Sequence, residues 1–330
     1  MDTSLTTIDE VAQALGLSVT TVRLVLNGQA ARYRISPGTR LRIEDYVAGH
    51  QVMVNHAARS LRLQRSETIG LVVPNLGNPF FARLMAELER CCQGRNLMLL
   101  TASSHEDPEL EARAVRQLLD RSIDGLVLAP CRRPAPELFA RHLARVAVVL
   151  VDRAYPGSGF PTVVSDNRAG ARELARRLLA EAGGDALFLC AQAALPSIRA
   201  RIRGFREAWA EAGLGDRPAP VLDGGSSDLP VTGARLVHAH LDRGGALPRA
   251  LVCSSLVVLE GALQALRDRL GRLPADLLIG TFDTEAMLAF LPNRVLAVVQ
   301  DEAAIAQRAF ARLQPGAGPT RDVIPCRLNG

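Results

Sequence analysis

Near the start of the chain, apolar positions recur at helical spacing in short stretches. Ile8, Val11, Ala12 and Leu15 share one helical face. Thr7 and Glu10 have the capping-box form, in which the threonine oxygen accepts from the Glu10 N–H and the glutamate reaches back. Gly16 then supplies the residue that a tight turn wants. Ser18 is a good N-cap for a second helix, Val19 to Leu26, with Val22, Val25 and Leu26 turned toward the first, and Asn27-Gly28 stops it. A third helix is expected from Ser36 as N-cap with Pro37 at the first helical position, burying Leu41, Ile43 or Tyr46, and Val47. From Thr68 onward the pattern changes to apolar runs alternating with longer amphipathic stretches. Predicted strands are Ile69–Val73, Leu97–Thr101, Leu126–Ala129, Val146–Val151, Leu187–Cys190, Leu251–Cys253, Leu277–Thr281 and Leu296–Val299, with a last short one near Val323–Ile324. Strand–helix alternation of this kind means parallel sheets with helices on both faces.

With 330 residues the chain suits one small unit and two of average size. A hydrophobic fraction of 48% with 22% charged residues is that of a globular protein. The six cysteines are scattered without a metal-like spacing and are expected to be reduced. The opening residues are polar and acidic where a secretory signal would be basic and then apolar, and no apolar run is long enough to cross a bilayer, so a cytoplasmic protein without membrane contact is expected.

Net charge is +5, and arginine stands wherever lysine could, the chain having no lysine. Its placement matters more than its sum: Val19 to Arg42 contains Arg23, Arg32, Arg34, Arg40 and Arg42 and no acid, the footprint of phosphate binding. Two short helices joined by a glycine-containing turn form a helix-turn-helix, whose second helix enters the major groove of double-stranded DNA. On that geometry Val19, Thr20 and Arg23 are exposed. Arginine donates two hydrogen bonds to guanine, while Val19 or Thr20 packs on a thymine methyl.

Three runs in order, TIDEVAQALGLSVTTVRLVLNG (7–28), VNHAARSLR (54–62) and ETIGLVVPNLGNPFF (67–81), resemble the head, hinge and first core strand of the LacI/GalR family of transcription regulators. The loop NGQAARYRIS (27–36) resembles the fructose-repressor branch, and the likeness continues through DGLVLAP, VVLVDR, GFREA and IGTFD. The resemblance implies a head over 1–52 and a hinge helix and linker over 53–66. It implies a two-lobed core like that of periplasmic binding proteins, with 67–164 and about 294–314 in one lobe and 165–293 and about 315–330 in the other. It adds Thr7, Asn27 and Arg34 to the DNA-contacting set. In the hinge it places Asn55, the small residue Ala58 at the hinge–hinge contact, and Leu61 as the wedge between central base pairs. Where the family usually has proline before the hinge asparagine, this chain has Val54.

Ligands of open parallel sheets sit beyond the carboxyl ends of the strands. That rule points to Asn78 and Phe80 after the first predicted strand, Asp152 and Arg153 after the fourth, Asp283 after the seventh and Gln300 after the eighth. The resemblance adds Arg201, and Ser255 where many relatives have asparagine. Such a set suits a polyol, and Arg153, Arg199, Arg201 and Arg203 suit an anion, so the resemblance implies a sugar or sugar-phosphate effector, fructose 1-phosphate in particular. No dinucleotide, Walker or hydrolase motif follows any strand, and the His238–His240 pair lacks a third metal ligand nearby. No cofactor, metal or catalytic residue is therefore expected. Chain crossings between lobes are expected near Val164, Phe290 and Pro315, and the assembly expected is a homodimer, no leucine heptad being present. The competing expectation is a sugar-binding receptor without DNA function.

Overall fold

The computed structural model describes residues 7–26, 28–50, 65–225, 230–314 and 317–330. Two compact units divide the chain, Met1–Ser66 and Glu67–Gly330.

In the first unit, helices α1 (Ile8–Leu15), α2 (Val19–Leu26) and α3 (Pro37–Gly49) share a core of Val11, Ala12, Val22, Val25, Ala30 and Ile43. Local chemistry sets each boundary. The Thr7 N–H donates to Glu10 Oε2 at 2.6 Å and the Glu10 N–H to Thr7 Oγ1 at 3.3 Å, completing the capping box. Gly16 ends α1 in the left-handed region, at φ 65°, where a side chain is disfavoured. Ser18 and Ser36 accept from the N–H groups of Thr21 and Thr39 at 3.0 and 3.1 Å. Leu41, expected inside, is 57% exposed. Ile43, Tyr46 and Val47 form the inward face of α3, and a residue two positions before Ile43 lies on the far side of a helix with 3.6 residues per turn.

The second unit repeats one plan twice. Strands β1 (Thr68–Val73), β2 (Met98–Ser103), β3 (Gly125–Leu128), β4 (Ala147–Val151), β5 (Thr162–Ser165) and β11 (Arg321–Ile324) form a parallel sheet in the order β2-β1-β3-β4-β5-β11. Strands β6 (Ala186–Cys190), β7 (Val221–Asp223), β8 (Ala250–Cys253), β9 (Leu278–Phe282), β10 (Val295–Val299) and β12 (Arg327–Asn329) form the other, in the order β7-β6-β8-β9-β10-β12. Within it only β12 runs antiparallel to its neighbour. Central strands such as GLVL and AVVLV are buried throughout, as both-faces-covered strands must be. Helices α4 (Pro79–Gln93) and α10 (Glu302–Arg312) cover one face of the first sheet and α5 (Pro108–Asp120) the other. In the second lobe, α6 (Asn167–Ala182) and α7 (Pro196–Trp209) cover one face, and α8 (Pro230–Asp242) and α9 (Leu256–Leu270) the other. Helices α6 and α7 approach so closely at Gly204 that a Cβ there would lie 2.2 Å from the carbonyl oxygen of Arg168.

The chain changes lobe three times: at Asp166, at Gln300–Asp301 and between Ile324 and Arg327. The first falls close to the expected Val164. The other two correct the expected positions near Phe290 and Pro315, because β10 completes the second sheet before α10 returns to the first, and β11 joins β5. Apolar runs announce strands but not which sheet receives them. The strands β5, β7 and β12 were not anticipated; the last two are edges of three residues with half-exposed side chains.

Candidate functional site

The head presents the outer face of α2. Thr20 and Arg23 are exposed there, whereas Val19 is half-buried against the head core, so Thr20 is the more available of the two expected thymine partners. Arg34 is exposed in the left-handed region at φ 55°. The Thr7 hydroxyl is used within the capping box. Two neighbouring arginines have work inside the head: Arg42 Nη2 donates to the Leu15 carbonyl at 3.0 Å, and Arg40 pairs with Glu44 at 2.7 Å. Asn27, Asn55, Ala58 and Leu61 lie outside the described residues.

In the core unit, Asn78, Phe80, Asp152, Arg153, Arg201, Ser255, Asp283 and Gln300 all line one pocket between the lobes. The topology explains the convergence: β1, β4, β9 and β10 are internal parallel strands, and their carboxyl ends face each other across the cleft. Both aspartates leave their strands in the left-handed region, Asp152 at φ 62° and Asp283 at φ 68°. Strained backbone of this sort costs free energy and persists only where the surroundings fix it.

Several of these side chains already have partners. Asn78 caps α4 by accepting from the Phe80 N–H at 3.0 Å, and Ser255 caps α9 by accepting from the Val258 N–H at 3.2 Å. Phe80 packs edge-on against Phe81, with ring centroids 5.1 Å apart. Arg153 is buried, and its fork is held by Glu106 at 2.6 and 2.9 Å. Burial opposes the charge, but the hydrogen bonds and attraction of Glu106 more than offset it and raise the guanidinium's pKa. Only its Nε finds no hydrogen-bond partner among the described residues, though Asp152 Oδ2 lies 3.5 Å from it as a second counter-charge. Arg201 donates from Nε to Asn167 Oδ1 at 2.7 Å and from Nη1 to the Ser254 carbonyl, and its guanidinium lies 3.8 Å from the centre of the Phe282 ring. That leaves Nη2 for a ligand oxygen. Gln300 donates to Asp283 Oδ1 at 2.9 Å, while its buried Oε1 has no hydrogen-bond partner among the described residues.

Burial pushes the Asp283 carboxyl up to about 6, against the opposing pull of Arg201 and the Gln300 hydrogen bond. Asp152 is raised by burial in the same way, partly offset by Arg153 and Arg201. Two carboxylates short of donors, a carboxamide oxygen and one guanidinium edge make a surface suited to a molecule bearing several hydroxyl groups. As the lobes now stand the pocket holds only about 40 Å³. Small-ligand sites begin at about 300 Å³, so the lobes must part to admit a sugar.

Arg199 and Arg203, expected beside the ligand, line a separate cavity, because on α7 they point away from the face that carries Ser197 and Arg201. Ser197 was missed from the sequence although it precedes Arg201 by one helical turn; its hydroxyl donates across the lobes to Asp152 at 3.4 Å. Glu106 and Asn167 were also missed, and neither follows a predicted strand with any distinguishing pattern. Arg83 was missed as well. From α4 it reaches Glu302 at 2.8 Å in its own lobe and Glu285 at 2.7 Å in the other.

The family model for periplasmic binding proteins and the sugar binding domain of the LacI family matches residues 66–309. The chain is 33% identical over 304 residues to the catabolite repressor/activator of Escherichia coli (strain K12), covering 92% of this chain and 90% of that protein. It is 32% identical over 310 residues to the sucrose operon repressor of Klebsiella pneumoniae, covering 94% and 92%. Among solved structures, the Cra transcriptional dual regulator of Pseudomonas putida in complex with fructose 1-phosphate superposes with a TM-score of 0.69 at 30% identity, over 80% of this chain and 98% of that one. The Lac repressor dimer bound to operator and the anti-inducer ONPF superposes with a TM-score of 0.82 at 18% identity, over 99% and 98%, a likeness of fold.

Proposed function

The chain belongs to the LacI family of transcriptional regulators, as a DNA-binding, sugar-responsive regulator and not an enzyme, and from that premise we propose that it is a homodimeric repressor released from a palindromic operator by fructose 1-phosphate. The observation that supports the effector reading most is the meeting of eight strand-end and helix-start residues of both lobes in one pocket. Asp152 and Asp283 accept hydrogen bonds from sugar hydroxyls, and Gln300 Oε1 accepts another. Arg201 Nη2 donates to a hydroxyl or a phosphate oxygen. Arg153 contributes through Nε, since Glu106 holds its fork. The phosphorylated ketose is favoured because the Pseudomonas putida relative was solved with that ester.

In the head, residues 1–52, Arg23 and Thr20 read base edges, with Val19, Thr7, Asn27 and Arg34 supporting the contact. Residues 53–66 form the hinge, with Asn55, Ala58 and Leu61 at the minor groove. Effector binding changes the angle between lobes and so the spacing of two heads. Effector and operator affinities are then reciprocally linked.

Calorimetric titration with fructose 1-phosphate, fructose and sucrose tests the effector. The expected outcome is saturable binding of the ester alone, lost in Arg201→Ala. Tighter binding of an unphosphorylated sugar would replace the ester as effector, and unchanged ester binding by Arg201→Ala would remove the pocket assignment.

A further inference from the structure

Beside the sugar pocket, on the side of the chain crossings, lies a second cavity of about 570 Å³. It is bounded by the segment after β4 (Asp152, Ala154, Pro156), by the first crossing (Val164–Arg168), by the start of α7 and by β11. Four arginines line it, Arg168, Arg199, Arg203 and Arg321, against two aspartates. The aspartates are occupied: Asp166 accepts from the Ala169 N–H at 3.0 Å, and the buried Asp152 accepts from Ser197. Arg168 is paired with Glu207 at 2.8 Å.

The side chains of Arg199, Arg203 and Arg321 form no ion pair or hydrogen bond with any described residue; the bonds they make are those of the backbone in α7 and β11. The contrast with neighbouring α6 is informative. All four of its arginines, Arg168, Arg172, Arg176 and Arg177, are paired with glutamates. On α7, Arg199 and Arg203 are one turn apart on one face, where like charges repel. Arg321 comes to the same cavity from β11 of the other lobe. The first turn of α7 adds to the positive field, since Leu195 offers no side-chain cap to its N–H groups.

We propose that this cavity is a second anion site, which takes a small phosphorylated compound separately from the sugar pocket and holds it between Arg321 of the first lobe and Arg199 and Arg203 of the second. An anion held by both lobes favours the arrangement in which they are close. The two pockets share Asp152 and Ser197 as a common wall, the one hydrogen bond of which already joins the lobes. Because the sugar pocket is too small for a sugar as the lobes now stand, occupation of this site weakens effector binding, and the effector weakens the anion in return.

The test is calorimetric titration of the full chain with pyrophosphate at constant ionic strength. Saturable binding is expected, weakened at least about tenfold in the double variant Arg199→Gln/Arg203→Gln and in Arg321→Gln. It should be unchanged in Arg201→Ala and in Arg23→Ala, which report on the sugar pocket and the head. Absence of saturable binding, or loss in Arg201→Ala or Arg23→Ala with the cavity variants unaffected, overturns the site. Saturating pyrophosphate should also raise the Kd of fructose 1-phosphate at least about fivefold, the lower range of allosteric coupling. Pyrophosphate that binds with no such effect overturns the bridging role. Because binding of pyrophosphate is read directly, the site stands or falls separately from the identity of the effector.

Discussion

Replacing Asp283 by asparagine should stabilise the second lobe while disabling the sugar pocket. The carboxylate is buried, sits at φ 68° and ionises near 6 in the folded chain against 3.8 for the free side chain. At about 1.4 kcal/mol per tenfold change in ionisation, the folded state is penalised by about 3 kcal/mol wherever the carboxyl is ionised in both states. A raised carboxyl pKa means that the folded chain holds the proton longer. The penalty is therefore complete above pH 6, falls as pH drops toward 4, and is absent below the unfolded value. Asparagine keeps the shape and can still accept from Gln300, so it stands in for the protonated acid. Asp283→Asn should exceed the parent in stability by about 3 kcal/mol at pH 7.5 and by about half that at pH 5. Urea unfolding can be followed through Trp209, the single tryptophan, which is buried on α7 in this lobe. The same substitution removes a charged acceptor and should weaken effector binding by about 1.5–3 kcal/mol. A variant that is less stable than the parent by the same amount at both pH values would show the carboxylate to be net stabilising and refute the reasoning.

Gly204→Ala should cost about 1–3 kcal/mol or more by forcing α6 and α7 apart, since no flexible side chain can yield at the Arg168 carbonyl; a neutral effect on thermal unfolding would contradict that contact. Glu106→Gln leaves the buried Arg153 with Asp152, 3.5 Å from its Nε, as its remaining counter-charge and should cost about 1–3 kcal/mol, read by chemical denaturation, with parent-like stability counting against the Glu106 pair as a structural element. Arg23→Ala should relax base preference at one position of each half-site and cost about 1–3 kcal/mol there, whereas equal loss on specific and random DNA would assign Arg23 to the phosphate backbone.

Much of this architecture was legible because its signals are local. The capping box at Thr7, the left-handed Gly16 and the serine caps fix helix ends by short-range hydrogen bonds, and each lies where the sequence puts it. Buried central strands announce themselves as apolar runs. The gathering of Asp152, Asp283 and Gln300 in one candidate pocket was legible through a global rule, that ligands of parallel sheets sit beyond the strand ends. Partnership was not legible. That Arg153 faces Glu106 rather than open space depends on the loop after β2, and that Arg199 and Arg203 face away from Arg201 depends on the roll of α7 against its sheet. Edge strands and lobe changes escaped for the same reason. A three-residue strand such as β12 has no pattern of its own, and only its neighbour β10 defines it.

The central claim, a sequence-specific regulator controlled by a phosphorylated sugar, is tested most directly by selecting DNA from a random pool with the purified chain and measuring its binding with and without fructose 1-phosphate at fixed salt. The account predicts a palindromic consensus whose complex dissolves when the ester is added. A chain that enriches no sequence, or a consensus complex indifferent to the ester at concentrations that saturate the pocket, would contradict it.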